Sequence, residues 1–196
     1  MRRRLTVLPA ALLLAAAGLL AGCAPSKPSF NSVDITGASY ARDFALTDAA
    51  GKKRTLAEFR GKLVAVFFGF AQCPDVCPTT LADFARAKSQ LGADGDRLQV
   101  IFVTVDPARD TPQVLGAYVP NFDPSFIGLT GTEDEISAAA REFKVFYQKV
   151  PGRTDTSYTI DHTAGSYVFD AQGRIRLFVK HATPVESIVA DLKRLL

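Results

Sequence analysis

Residues 63–70 (LVAVFFGF) run without a single polar side chain. An apolar run this short, rich in Val and Phe and bounded by Gly61 and Gln72, reads as a strand buried on both faces. Residues 98–105 (LQVIFVTV) form a second buried strand, stopped by Asp106 and Pro107. Between them, residues 77–91 place Leu81, Phe84, Ala85, Lys88 and Leu91 at helical spacing. A strand, a helix and a strand in that order make a βαβ unit, and a sheet that is dry on both sides needs helices on both faces.

The rest of the chain fills out this plan. Residues 44–47 read as a short strand and 48–52, with Gly51, as a turn. Thr111 followed by Pro112 starts a helix that is expected to reach about Val119. Residues 126–129 read as a short strand, and Thr132 with Glu135 makes a capping box for a helix to about Phe143. Residues 144–150 read as a further strand and 151–161 as a polar loop. Residues 166–170 and 174–179 flank Ala171, Gln172 and Gly173, which predicts a hairpin. Thr183, Pro184 and Glu186 are expected to cap a last helix to Leu196. The expected fold is α/β: a central mixed β-sheet flanked by helices, with a terminal β-hairpin and a C-terminal helix. Ligands of such sheets collect beyond the carboxyl ends of parallel strands. Cys73 follows one such end and Asp106 another.

At 196 residues, 47% of them hydrophobic and 22% charged, the chain has the core of one domain and is not a disordered polymer. Its net charge of +3 resides in Arg2, Arg3 and Arg4; residues 23–196 carry 20 basic and 20 acidic groups. A neutral domain lacks the basic footprint of nucleic-acid binding. The three arginines precede an apolar stretch, residues 5–21, and then Leu20, Ala21, Gly22 and Cys23. That order is that of a secretory signal, an uncleaved membrane anchor being the plainer alternative. Leu-Ala-Gly-Cys resembles the lipobox of bacterial lipoproteins. The resemblance implies a signal peptide at 1–22, cleavage before Cys23 and a diacylglycerol on its sulfur. Residues 23–38 then form the lipidated N-terminus and a flexible tether, and 39–196 the folded domain. Both anchor readings place the domain outside the cytoplasm, on the periplasmic side, where thiols tend to be oxidised.

With Cys23 set aside, two thiols remain, in Cys73-Pro-Asp-Val-Cys77-Pro. They lie four residues apart where a strand gives way to a helix. Positions i and i+4 on a helical turn have Cβ atoms about 5–6 Å apart, close enough for a shared metal ion or, with adjustment, a disulfide. Unpaired N–H groups at a helix start favour thiolate, the form that binds metal and attacks disulfides. An inert structural disulfide, or two cysteines buried as small hydrophobes, is the blander possibility.

The chain has two histidines, His162 and His181. If the strand near Ser166 lies antiparallel beside residues 63–70, His162 faces Cys73 and Cys77. Two thiolates and an imidazole make a three-donor set suited to copper, and acceptable to zinc. Asp161 is placed to orient the ring. A hydrogen-bonded loop histidine is the competing reading, and His181 reads as structural or exposed. Asp75, Asp106 and Arg109 are expected at the rim of the same face, as a docking surface or as ordinary turn and cap residues.

Three blocks in sequence carry a family resemblance: Phe67-Phe68-Gly69-Phe70 with Cys-Pro-Asp-Val-Cys-Pro at 73–78; Val-Thr-Val-Asp-Pro at 103–107 with Arg109-Asp110-Thr111-Pro112; and Asp161-His162 before Tyr-Val-Phe-Asp. Together they resemble the Sco/SenC family over residues 40–196. The resemblance implies a thioredoxin-like fold and copper, Cu(I) or Cu(II), held by Cys73, Cys77 and His162. It implies a metallochaperone for the CuA centre of cytochrome c oxidase, or a thiol–disulfide oxidoreductase using Cys73 and Cys77 as a redox pair. Expected partners are the copper-binding oxidase subunit or another copper chaperone, met by a monomer. The Cys-x-x-x-Cys spacing and the absence of a proline at 161–164 separate the chain from thioredoxins.

Overall fold

The computed structural model describes residues 29–154 and 157–196. The expected signal peptide, Cys23 and the first part of the expected tether lie outside the described residues. The strands, in chain order, are β1 Val33–Asp34, β2 Ala45–Asp48, β3 Lys53–Thr55, β4 Leu63–Gly69, β5 Leu98–Thr104, β6 Ile127–Thr130, β7 Tyr147–Pro151, β8 Tyr158–His162, β9 Gly165–Phe169 and β10 Ile175–Lys180. The α-helices are α1 Val76–Gln90, α2 Pro112–Tyr118, α3 Glu133–Glu142 and α4 Val185–Leu195.

Strands β4 and β5 lie at the centre, and every residue of both is buried. They pair in parallel from Leu63 opposite Leu98 to Gly69 opposite Thr104. Strand β6 extends the parallel part beside β5, and β9 lies antiparallel beside β4, with Phe67 opposite Ser166. The full order is β1-β10-β9-β4-β5-β6-β2-β3. This is the expected thioredoxin-like, mixed sheet. Side-chain alternation sends Phe67 and Phe102 to one face, where their rings stand 6.1 Å apart and Tyr118 of α2 meets Phe102 at 5.8 Å. Phe68 points to the other face and meets Phe143, just past α3, at 5.1 Å. Burying each such ring contributes about 1.5–3 kcal/mol, so these contacts fix the helices on their faces. Helix α4 packs against α1.

The caps at Thr111 and Thr132 form as the sequence predicts. Thr111 Oγ1 accepts from Val114 N–H at 3.3 Å, and Thr132 and Glu135 satisfy each other's backbone N–H groups at 3.2 and 2.9 Å. Thr183 does not cap: its hydroxyl donates to the Lys180 carbonyl, and Pro184 occupies the cap position. Three strands depart from the sequence reading. Strand β8 stands where a loop is expected. Strands β1 and β3 are two and three residues long, too short to announce themselves by alternation. The expected tether also ends early. The Asp191 carboxylate accepts the backbone N–H groups of Asn31 and Ser32 at 2.8 and 2.7 Å, and Val33 pairs with Phe178 of β10.

Candidate metal centre

The site lies beyond the carboxyl ends of β4 and β5. Val105 N–H donates to Gly69 O at 2.8 Å, so the strands stay joined to their last residues. The two loops that follow are tied by Asp110, which is 1% exposed. Its Oδ2 accepts from Ala71 N–H at 2.9 Å and from the Thr104 hydroxyl at 2.7 Å. Burial drives the Asp110 pKa up, against those hydrogen bonds. The cysteine loop is thus fastened to its neighbour before it enters α1.

Cys73 is half-buried and Cys77, in the first turn of α1, is fully buried; both are free thiols. Cys77 N–H donates to Cys73 Sγ at 3.4 Å, so the helix start does present a donor to the outer sulfur. For Cys77 the expected thiolate character is corrected. Burial pushes its thiol far up, outweighing a backbone hydrogen bond from Phe70, with Cys73 adding to the rise. A thiol in that setting would lose its proton to solvent as a cation took its place on sulfur, so metal uptake would be coupled to proton release.

His162 ends β8, and its Nε2 lies 3.6 Å from Cys77 Sγ. Its Nδ1 lies 3.2 Å from the Thr163 carbonyl. A carbonyl only accepts, so Nδ1 carries the hydrogen and Nε2 turns a lone pair toward the sulfurs. The ring stands edge-on to Phe67 and Phe70, at 5.9 and 6.0 Å. Burial lowers the His162 pKa, against the Thr163 carbonyl and Asp161. The neutral ring is the one that ligates. Asp161 therefore acts on the ring by charge; the hydrogen bond that orients it comes from Thr163.

The donor atoms of Cys73, Cys77 and His162 all lie within 4.8 Å of one another. Metal–sulfur bonds of about 2.3 Å and metal–nitrogen bonds of about 2.0–2.1 Å allow donors about 3.5–4.5 Å apart. A thiophilic ion fits with a small closing movement of the outer sulfur. The geometry leaves a side open to a further donor, through a cleft of about 280 Å³ that Asp75 and Asp161 border. Two larger hollows elsewhere, of about 600 and 580 Å³, hold no thiol or imidazole.

Asp106 is not a rim residue. It is fully buried, ion-paired with Arg109 and bonded at Oδ1 by the Tyr158 hydroxyl at 2.8 Å. Asp75 stays exposed at the mouth. His181 bonds Thr80 Oγ1 through Nδ1 at 3.2 Å, the structural role expected of it. The sequence reading passed over Tyr158, although an aromatic residue two alternations before His162 is a strand signal. It also passed over Tyr118, whose buried hydroxyl has no hydrogen-bond partner among the described residues and whose pKa burial and the two thiols push up.

The SCO1/SenC family model matches residues 33–196, a span that includes all three donors. The SCO2-like protein of Rickettsia felis is 39% identical over 160 residues, 80% of this chain and 77% of that one. The mitochondrial SCO2 homolog of Mus musculus is 35% identical over 154 residues, 78% of this chain but 60% of its own length. Among solved structures, Bradyrhizobium japonicum ScoI with copper bound is 41% identical with a TM-score of 0.72, covering 79% of this chain and 98% of that one. Apo Sco1 of Thermus thermophilus is also 41% identical, with a TM-score of 0.77 and coverage of 87% and 99%. The family match runs from the first paired strand to the last helix, and the chain belongs to the SCO1/SenC family.

Proposed function

We propose that the chain is a membrane-tethered copper carrier that supplies the CuA centre of cytochrome c oxidase. Sco proteins work in copper assembly of that oxidase. The observation that carries the proposal is the convergence of two sulfurs and one imidazole nitrogen within 4.8 Å. Soft sulfur selects Cu(I), and imidazole keeps Cu(II) acceptable. Copper is cargo here, passed by exchange of ligands. A thiolate or imidazole of the acceptor enters at the open side and displaces Cys73, the half-exposed sulfur, before the buried Cys77. The acceptor is the copper-binding oxidase subunit, or another copper chaperone acting upstream. The N-terminal sequence supports the rest of the reading: a signal at 1–22, a lipid on Cys23, and a domain on the periplasmic side of a membrane.

The test is anaerobic titration of the reduced full chain in detergent with Cu(I), against a competing chelator. His162→Ala is expected to lower affinity by more than about tenfold, since losing even an outer partner of a metal ligand costs 10–100-fold. Equal affinity in the two proteins overturns the three-donor site.

One observation favours a second activity, thiol–disulfide exchange. The sulfurs are unequal: Cys73 is accessible and receives the Cys77 N–H, while Cys77 lies beneath it. That is the arrangement of an attacking and a resolving thiol. Turnover of a disulfide in the acceptor by metal-free protein is the readout that separates it from delivery.

A further inference from the structure

Strand β8 delivers the third donor, yet it belongs to a separate two-stranded sheet with β7. Its grip on the body therefore falls to side chains. Tyr158, Ile160 and His162 alternate inward, while Thr159 and Asp161 are exposed. At the far end of the strand from His162, one cation makes most of the polar contacts. Arg109 Nη1 donates to the Tyr158 carbonyl at 2.9 Å and to Gln72 Oε1 at 3.2 Å. Its Nε pairs with the buried Asp106 carboxylate. The guanidinium lies 3.7 Å from the Tyr158 ring centroid and 5.7 Å from that of Phe70. The Tyr158 hydroxyl closes the circuit on Asp106. Arg109 thus ties together β8, the loop that bears the cysteines and the loop after β5. Phe70 meets both Arg109 and the His162 ring.

We propose that Arg109, held by Asp106, is a positioning residue for His162: it docks β8 so that the imidazole stands over the sulfurs before copper arrives. This extends the copper-carrier reading and rests on it. An imidazole on an undocked strand has to be ordered at the moment of binding, and that ordering opposes capture. Lysine does not substitute, because a point charge lacks the planar fork that reaches the carboxylate, the carbonyl and the amide together.

The experiment uses the full chain in detergent, with Cu(I) affinity from chelator competition and imidazole coordination of Cu(II) from pulsed electron paramagnetic resonance. Arg109→Ala is expected to weaken binding about tenfold and diminish the imidazole signal. In a His162→Ala background the same change should cost nothing more, because the effect passes through the ring. Arg109→Lys should fail to restore binding. Full affinity with a full imidazole signal in Arg109→Ala overturns the proposal, as does an equal loss in both backgrounds. Should His162→Ala bind copper like the parent, the copper site itself is wrong, which is a separate result. If Arg109→Ala does not fold, Arg109→Lys and Tyr158→Phe decide by amide hydrogen exchange of the metal-free chain. Faster exchange in β8 with β4 and β5 still protected supports the docking role; unchanged β8 exchange overturns it.

Discussion

A methyl group on Gly69 would stand 2.7 Å from Cys77 Sγ and 2.9 Å from the Phe102 ring. No real Cβ tolerates that approach, so the glycine makes room for the inner sulfur. Gly69→Ala is expected to destabilise the domain by about 1–3 kcal/mol, the usual range for overpacking, and to weaken copper binding by moving Cys77. Denaturant unfolding and chelator competition measure the two effects, and a variant with parental copper affinity contradicts the second. At this scale the donors were legible: with Cys23 set aside, two cysteines and two histidines left few combinations. What tunes them was not. The Thr163 carbonyl sets the tautomer of His162, and a backbone acceptor leaves no mark in the sequence. The upward shift of the Cys77 thiol comes from its burial, which a four-residue spacing does not encode.

The hairpin of β9 and β10 turns on Asp170, which is 2% exposed. Its Oδ1 accepts backbone N–H groups of Gln172 and Arg174 at 3.1 and 3.0 Å. Its Oδ2 accepts from Arg174 Nε at 2.8 Å and Arg176 Nη1 at 3.2 Å. Burial alone would raise the Asp170 pKa, but these hydrogen bonds outweigh it and the net shift is downward. The unfolded value is about 3.9. A carboxylate lowered on folding stabilises above that value, and its contribution is lost as pH falls toward the folded pKa. Asp170→Asn should therefore cost about 1.5–3 kcal/mol at neutral pH, the worth of hydrogen bonds to a charged group. The gap to the parent should narrow as pH falls from neutral to below the unfolded value of about 3.9. Denaturant midpoints at the two pH values check this, and a gap independent of pH refutes the charge argument. The hairpin was legible because Ala171, Gln172 and Gly173 sit between two apolar runs. Strand β8 was hidden because residues 152–157 are polar and its inward face shows one aliphatic residue, Ile160.

For the whole molecule, one unbroken apolar run and a second interrupted only by Gln99 and Thr104 were enough to fix the parallel centre of the sheet. The edges were beyond reach: β1 depends on β10, far along the chain, and both β1 and β3 are too short for a pattern. The N-terminal edge is held by Asp191, 1% exposed, on α4. Asp191→Ala is expected to release residues 31–34, seen as fast amide exchange, and to lower the thermal midpoint by about 2–4 °C per kcal/mol lost. Copper affinity should not change, because the site draws on other elements; a fall in affinity would show the two regions to be coupled. One consequence concerns the separation of the donors. Cys77 and His162 are 85 residues apart, and they meet only after β4, α1 and β8 have docked. An ion gripped by both is a staple across the domain. Loading it resists heat and denaturant by mass action, and any chain that loses its shape lets go of the ion in the same event.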